Sequence, residues 1–268
     1  MNGTINPAQV RSPLHMVRYN VKLLSSLTVR AFTVRFGSEV FELMWAFAEP
    51  ALFLAMFIAA RTYARDSVVF GDSQILFMAT GLLTLRMCRG IASKAIPAIK
   101  RNKTLLDSPV VHPLDIILAA LFVEIFLWAA IVTVFYSAIA YYLGERIIYH
   151  HAEFGQAMAA SCFFALTLGI FNCVVGTLLP VWLTFWRLTS LPIMMTSGLF
   201  FVPSELPQAV IDIISWNPFL HCLEWVRQAT YLDYHSILDS QYLLTVSFIL
   251  LFISITVEYV YRDRLHKE

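Results

Sequence analysis

"LDIILAALFVEIFLWAAIVTVFYSAIAYYLG", Leu114 to Gly144, decides the fold. Past Asp115 its one charged side chain is Glu124. A helix needs about 20 mostly apolar residues to cross the hydrocarbon core of a bilayer. This run exceeds that length, so it predicts a transmembrane helix over about 114–143. Five more runs of the same character accompany it, at about 41–60 ("FELMWAFAEPALFLAMFIAA"), 74–93, 156–179, 183–202 and 241–261. The run at 183–202 is interrupted by Pro192 and Gly198. Composition agrees: 59% of the 268 residues are hydrophobic and 14% charged. That leaves too little polar surface for a water-exposed globule of this size. The expected fold class is all-α integral membrane, with six transmembrane helices.

Basic residues set the expected orientation, because short cytoplasmic loops collect Lys and Arg. The side that holds both termini has Arg11, Arg18, Lys22, Arg30 and Arg35, then Arg86, Arg89, Lys94, Lys100, Arg101 and Lys103, then Arg187, Arg262, Arg264 and Lys267. The other side has Arg61, Arg65, Arg146 and Arg227. Both termini are therefore expected in the cytoplasm. The net charge of +1 makes no basic field for nucleic acid. Cys88, Cys162, Cys173 and Cys222 are scattered in or beside apolar runs and read as small buried side chains.

The first apolar core begins near Leu43, so the N-terminus does not read as a secretory signal. The stretch Arg11–Ala31 is amphipathic instead. Arg11, Arg18 and Lys22 fall on one side of a helical projection, with Val17, Val21, Leu24, Thr28 and Ala31 opposite. It suits a helix lying in the membrane surface. The expected organisation is a cytoplasmic N-terminus with this interface helix (1–36), one membrane domain (37–262) and a short tail (263–268).

No motif for chemistry appears. There is no GxxxxGK[ST] to cradle nucleotide phosphates, no HExxH and no GxSxG. His150, His151 and Glu153 are the nearest approach to a metal cluster, but adjacent histidines point to different faces of any regular element. His112 with Asp107 and Asp115 is the best polar group for a transferase, and it sits in a short basic loop. Glu49 and Glu124 lie inside apolar spans, where a carboxylate either relays protons or pairs to hold helices together. The paired reading is favoured, and no inverted repeat supports a proton-coupled transporter.

Two segments remain. The loop 94–113 carries Ile99, Lys100, Arg101, Asn102, Lys103, Leu105 and Leu106 between Pro97 and Pro109, and fits a short helix on the cytoplasmic face. The region 197–240 is punctuated by Pro203, Pro207 and Pro218. It contains "SWNPFLHCLEWVRQATY" (215–231), with Trp216, Asn217, Pro218, His221, Glu224 and Arg227. Its two short amphipathic pieces cannot cross a bilayer, and a re-entrant hairpin on the outer side before the last span is expected.

Three stretches taken in order carry a resemblance: "VRFGSEVFELMWAFAEPALFL" (34–54), "SKAIPAIKRNKTLLDSPVVHPLDIILA" (93–119) and "FVPSELPQAVIDIISWNPFLHCLEWVRQA" (201–229). The chain resembles the membrane subunits of ABC-2 type exporters, and within them the capsular polysaccharide exporters of Gram-negative bacteria. The loop "GERIIYHHAEF" (144–154) departs from that pattern. The resemblance implies an inner-membrane permease without catalytic residues or a cofactor of its own. Two copies would enclose the path of a lipid-linked polysaccharide. Two separate ATPase subunits would bind ATP and Mg and dock on the coupling residues 99–106. A periplasmic adaptor and an outer-membrane channel would continue the route. An exporter of another lipid-linked glycan, of O-antigen or teichoic-acid type, is the alternative. Aromatic faces stack on sugar rings, which makes Trp45, Trp128, Tyr136 and Tyr142 candidate channel residues, with Tyr141, Trp182 and Trp186 behind them.

Overall fold

The computed structural model describes residues 13–36, 40–64, 69–71, 73–106, 111–144 and 147–267. Arg11, Arg65, Asp107, Pro109 and Arg146 lie outside the described residues, as do the side chains of Val17, Arg18, Arg61, Arg262, Arg264 and Lys267. Among the described residues every regular element is helical. In order they are α1 (Pro13–Phe36), α2 (Val40–Ala64), α3 (Gln74–Lys94), α4 (Ala98–Arg101), α5 (Lys103–Leu106), α6 (Pro113–Leu143), α7 (His151–Leu178), α8 (Val181–Leu188), α9 (Ser190–Thr196), a single 3-10 turn (Pro203–Glu205), α10 (Gln208–Ile214), α11 (Pro218–Thr230) and α12 (Ser240–Lys267).

Among the described residues, five helices are long and apolar enough to cross a membrane: α2, α3, α6, α7 and α12. They match five of the six expected spans. The expected span 183–202 is not one helix. It is α8 and α9, of eight and seven residues, parted at Thr189. Pro192 explains the break. A proline ring clashes with the carbonyl four residues earlier, here Leu188, the last residue of α8. In the first turn of α9 the missing N–H costs nothing. The run 181–196 would reach only about 24 Å as one helix, short of the roughly 30 Å hydrocarbon core.

α3 is the central helix. Phe77, Leu83, Met87 and Ile91 are wholly buried in it. Ser73 caps its start by accepting from the Leu76 N–H. The buried Thr80 and Thr84 hydroxyls donate back to the carbonyls of Phe77 (2.9 Å) and Thr80 (2.7 Å), so neither needs water. Glycines permit close packing around it. A Cβ on Gly90 would lie 2.6 Å from Trp128 Nε1 on α6, and one on Gly169 of α7 would lie 2.6 Å from Leu121 Cδ2. Small residues at such crossings are how helices approach each other in lipid.

α6 starts on Pro113, with the Asp115 carboxylate accepting from the His112 N–H at 3.0 Å. It ends on Gly144, whose φ of +69° closes the last turn. Asp115 is thus committed to a cap. His150 and His151 are exposed, and Glu153 accepts from Gln228 Nε2 at 2.7 Å.

α1 packs along α6. Leu27 is buried and Leu24, Thr28 and Ala31 are half-buried on that side, while Val21 is exposed. Val29, Phe32 and Val34 are exposed too, so α1 is apolar beyond its packed stripe. α2 and α12 also show large apolar side chains outward, among them Met44, Leu52 and Met56, and Phe248 and Phe252.

Candidate functional site

The stretch 215–231 is a short buried helix tied to the chain on both sides of it. α11 packs against α3, α7 and α12. Asn217 caps it, accepting from the Phe219 N–H at 3.0 Å, and Pro218 takes the first helical position. The Asn217 amide also donates to Thr196 Oγ1 (2.8 Å) and Ser197 Oγ (3.1 Å), joining α11 to the end of α9. His221 Nδ1 accepts from the Asp239 N–H at 3.1 Å, which leaves Nε2–H to donate to the Ser215 carbonyl at 2.8 Å. That is a neutral imidazole used as a bracket. Trp216 exposes its ring, and its carbonyl accepts from the Tyr242 hydroxyl at 2.7 Å.

Glu224 and Arg227 are both fully buried and are the charged core of this unit. Arg227 reaches backward. Its Nη1 donates to the Gly198 carbonyl at 2.6 Å, its Nη2 lies 3.4 Å from the Leu199 carbonyl, and its guanidinium sits 3.8 Å over the Phe77 ring. Gly198 has a φ of +73°, and a Cβ there would meet Pro203 Cγ at 2.8 Å, so the turn that offers these carbonyls needs glycine. Glu224 reaches forward. It accepts from the Tyr234 hydroxyl (2.5 Å), Ser236 Oγ (3.2 Å) and the Ile237 N–H (3.1 Å). The two charges are 3.9 Å apart, one turn along α11. A buried charge needs both a partner and hydrogen bonds, and each has them.

The residues 98–106 form two single turns. Asn102 breaks them and its amide donates to the Ala98 carbonyl at 2.9 Å. The expectation was a single short helix. Ala98, Ile99 and Leu106 are buried, Leu105 is half-buried, and Lys100, Arg101, Lys103 and Thr104 are exposed. α4 packs on α6 and α7. The elbow is therefore seated on two long helices through α4, with Ile99 and Leu106 buried, and presents basic side chains outward.

A cavity of about 1270 Å³ opens among α2, α3, α6, α8 and α9, beside the end of α1. It brings together Glu49, Glu124, Trp45 and Trp128. Both carboxylates are ion-paired, Glu49 with Arg86 and Glu124 with Arg35. Arg86 also stacks 3.7 Å over Phe53. Tyr136 does not line this cavity. It is buried edge-on to Phe154, at 5.1 Å between ring centroids. Tyr141 and Tyr142 are exposed near the end of α6, outside the cavity. Trp182 and Trp186 are held by Asn172 Oδ1 (3.1 Å) and Ser93 Oγ (2.8 Å).

Sequence reasoning missed Arg89 as a lining residue, having counted it and Arg187 toward topology alone. Both face the same cavity, together with Lys94. It also missed Tyr234 and Asn172 as partners of buried polar groups. A buried Asn in an apolar run at 156–179 was the one available signal.

The chain matches the ABC-2 type transporter family over residues 22–231. It is 26% identical over 216 residues to the capsule polysaccharide export inner-membrane protein BexB of Haemophilus influenzae, covering 79% of this chain and 80% of that one. It is 24% identical over 243 residues to the polysialic acid transport protein KpsM of Escherichia coli, covering 90% and 93%. It is 25% identical over 239 residues to the capsule polysaccharide export inner-membrane protein CtrC of Neisseria meningitidis, covering 88% and 89%. With a match across most of its length and five membrane-capable helices, this chain belongs to the ABC-2 type transporter membrane family.

Proposed function

We propose that this chain is the permease subunit of an ATP-driven exporter that moves a lipid-linked capsular polysaccharide across the inner membrane. The observation that carries this reading is the likeness, over most of both chains, to relatives whose names specify capsule polysaccharide export or polysialic acid transport. Two copies face each other, and the apolar side chains that α2 turns outward suit that contact or lipid. Both termini are cytoplasmic. The broken α8–α9 pair with residues 197–202 makes the sixth crossing. Residues 203–230, through α10 and α11, are the re-entrant hairpin at the outer surface. α1 is the interface helix.

Two soluble ATPases that bind ATP and Mg dock beneath, each on one elbow. Lys100, Arg101 and Lys103 meet the ATPase, while Ile99 and Leu106 pass its movement to α6 and α7. An adaptor and an outer-membrane channel take the polymer onward. The paired state of Glu49 and Glu124 weighs against a proton relay, since each carboxylate already has its counter-ion.

Purification of the tagged full chain from its host in mild detergent tests the reading. A soluble nucleotide-hydrolysing protein should appear at one copy per chain. A chain that purifies alone and monomeric from several mild detergents contradicts the assignment.

A further inference from the structure

The turn between α10 and α11 is fastened to the head of α12 in two places. Tyr242 reaches back to the Trp216 carbonyl at 2.7 Å. His221 makes the other fastening, with Nε2 at 2.8 Å from the Ser215 carbonyl and Nδ1 at 3.1 Å from the Asp239 N–H. Both of its neighbours are backbone groups with fixed roles. A carbonyl only accepts, and an amide N–H only donates. The ring must donate from Nε2 and accept at Nδ1. The neutral imidazole can do this and the imidazolium cannot, because both of its nitrogens are donors.

The surroundings also resist a positive charge. His221 is 2% exposed and lies near the positive end of α11. Burial lowers its basicity below the ordinary value of about 6.5, against opposing pulls from the Ser215 carbonyl, Asp239 and Glu224. Glu224 is engaged by Tyr234, Ser236 and the Ile237 N–H and stands beside Arg227. Asp239 is exposed, and its carboxylate accepts from the Tyr242 N–H at 2.8 Å. The Tyr242 ring is 5.1 Å from the imidazole. On α3, Arg86, Arg89 and Lys94 line the cavity; on α7, Glu153 is held by Gln228 and His151 is exposed. The thiols of Cys88 and Cys162 gather around Cys222.

We infer that His221 is a proton-operated clasp between the α10–α11 turn and α12. Neutral, it holds residues 215–217 to the head of α12. Once protonated, its Nδ1–H meets the Asp239 N–H head-on and that bond is lost. The Asp239 carboxylate is drawn to the new charge, and in leaving the Tyr242 N–H it uncaps α12 and loosens the grip of Tyr242 on Trp216. The turn's other attachment, from Asn217 to Thr196 and Ser197, has no titrating group and holds. Acid thus parts the turn from α12 and leaves it on α9. The folded chain binds this proton less readily than the unfolded chain. The clasp is therefore whole above about pH 6.5 and is lost as pH falls from there through the lowered value. The inference rests on the exporter reading only for the compartment whose pH acts, the outer one.

The test is hydrogen exchange of the full chain in mild detergent between about pH 7.5 and pH 5, the range in which histidine changes charge. Exchange is read at single amides by mass spectrometry and corrected for the intrinsic effect of pH. The Asp239 and Tyr242 amides are expected to lose protection at least about tenfold on acidification. The Ile237 amide, held by Glu224, should keep its protection and is the internal control. His221→Asn places an amide oxygen near where Nδ1 stands and cannot titrate. In that variant the Asp239 and Tyr242 amides should change by less than about twofold over the same range. If His221→Asn fails to fold, exchange at the ring C2 carbon of His221 in the unaltered chain gives the protonation midpoint directly. It should lie below about 6.5 and coincide with the loss of amide protection.

A midpoint at or above about 6.5 overturns the inference. So does protection of Asp239 and Tyr242 that is indifferent to acid, an equal loss at Ile237, or the same acid response in His221→Asn. None of these readouts involves an ATPase or a glycan. A chain that purifies without an ATPase but shows the acid response defeats the exporter reading alone, and the reverse pattern defeats the clasp alone.

Discussion

Arg227→Leu should lower the stability of the chain by about 3–5 kcal/mol, the usual cost of removing one member of a buried ion pair. The side chain is fully buried and carries three jobs at once. It satisfies the Gly198 carbonyl, lies close to that of Leu199, and balances Glu224. Leucine does none of these, and leaves a carboxylate buried without its counter-charge. Lysine keeps the charge but has no fork to serve two carbonyls and no plane to stack on Phe77, so Arg227→Lys should recover only part of the loss.

The ion pair itself is tested by a second substitution. Glu224→Gln in the Arg227→Leu background should cost less than Glu224→Gln alone, because neutralising a stranded carboxylate is favourable. Thermal unfolding of detergent-solubilised protein reads all four forms. Near wild-type stability in Arg227→Leu would mean that α11 is held by apolar packing and that the two charges are incidental. Gly81→Val provides an independent check from the other side of the contact. Its Cβ would lie 2.8 Å from Leu199 Cδ1 and 2.9 Å from Arg227 Nη2, so it should disturb the same turn.

Lys100→Glu with Arg101→Glu should cut recovery of the ATPase with the tagged chain by at least about tenfold, which corresponds to about 1.4 kcal/mol of lost affinity. Both side chains are exposed on α4 while Ala98 and Ile99 beneath them are buried. Reversing two exposed charges leaves the seating of α4 on α6 and α7 intact, and surface substitutions of this kind usually shift stability by within about 0.5 kcal/mol. Juxtaposing like charges at a docking face costs far more. Leu106→Asp is the wrong probe for this question. Leu106 is buried, so the substitution unfolds the elbow and removes the partner for a trivial reason. Unchanged recovery with Lys100→Glu and Arg101→Glu would place the ATPase contact elsewhere.

Five membrane-capable helices were legible in the sequence because an apolar run of sufficient length is a local property. Each of α2, α3, α6, α7 and α12 lies close to the expected range. The α8–α9 break was half legible. Pro192 was noted, but the end of the first piece falls four residues earlier, where the ring meets the Leu188 carbonyl. The roles within 215–231 were less legible. Glu224 and Arg227 find most of their partners at 198–199 and 234–237, and no periodicity in α11 announces those contacts.

The cavity was illegible for the same reason. Arg89 and Arg187 are distant in the chain, and a count of basic residues treats both as markers of orientation. Which cations are already paired, and which face a shared space, depends on how α3 and α8 pack. Glu49 and Glu124 show the converse. A carboxylate inside an apolar run calls for a nearby base, and Arg86 and Arg35 supply one to each.

The proposed transport of a polysaccharide across the inner membrane is read most directly from where that polymer resides when the chain is removed. Deleting the gene in its host, then fractionating cytoplasm and cell surface, should show lipid-tailed glycan accumulating inside and missing outside. Restoring the full chain should reverse both changes, and restoring Lys100→Glu with Arg101→Glu should reverse neither. An unchanged surface glycan with no internal accumulation would contradict the account.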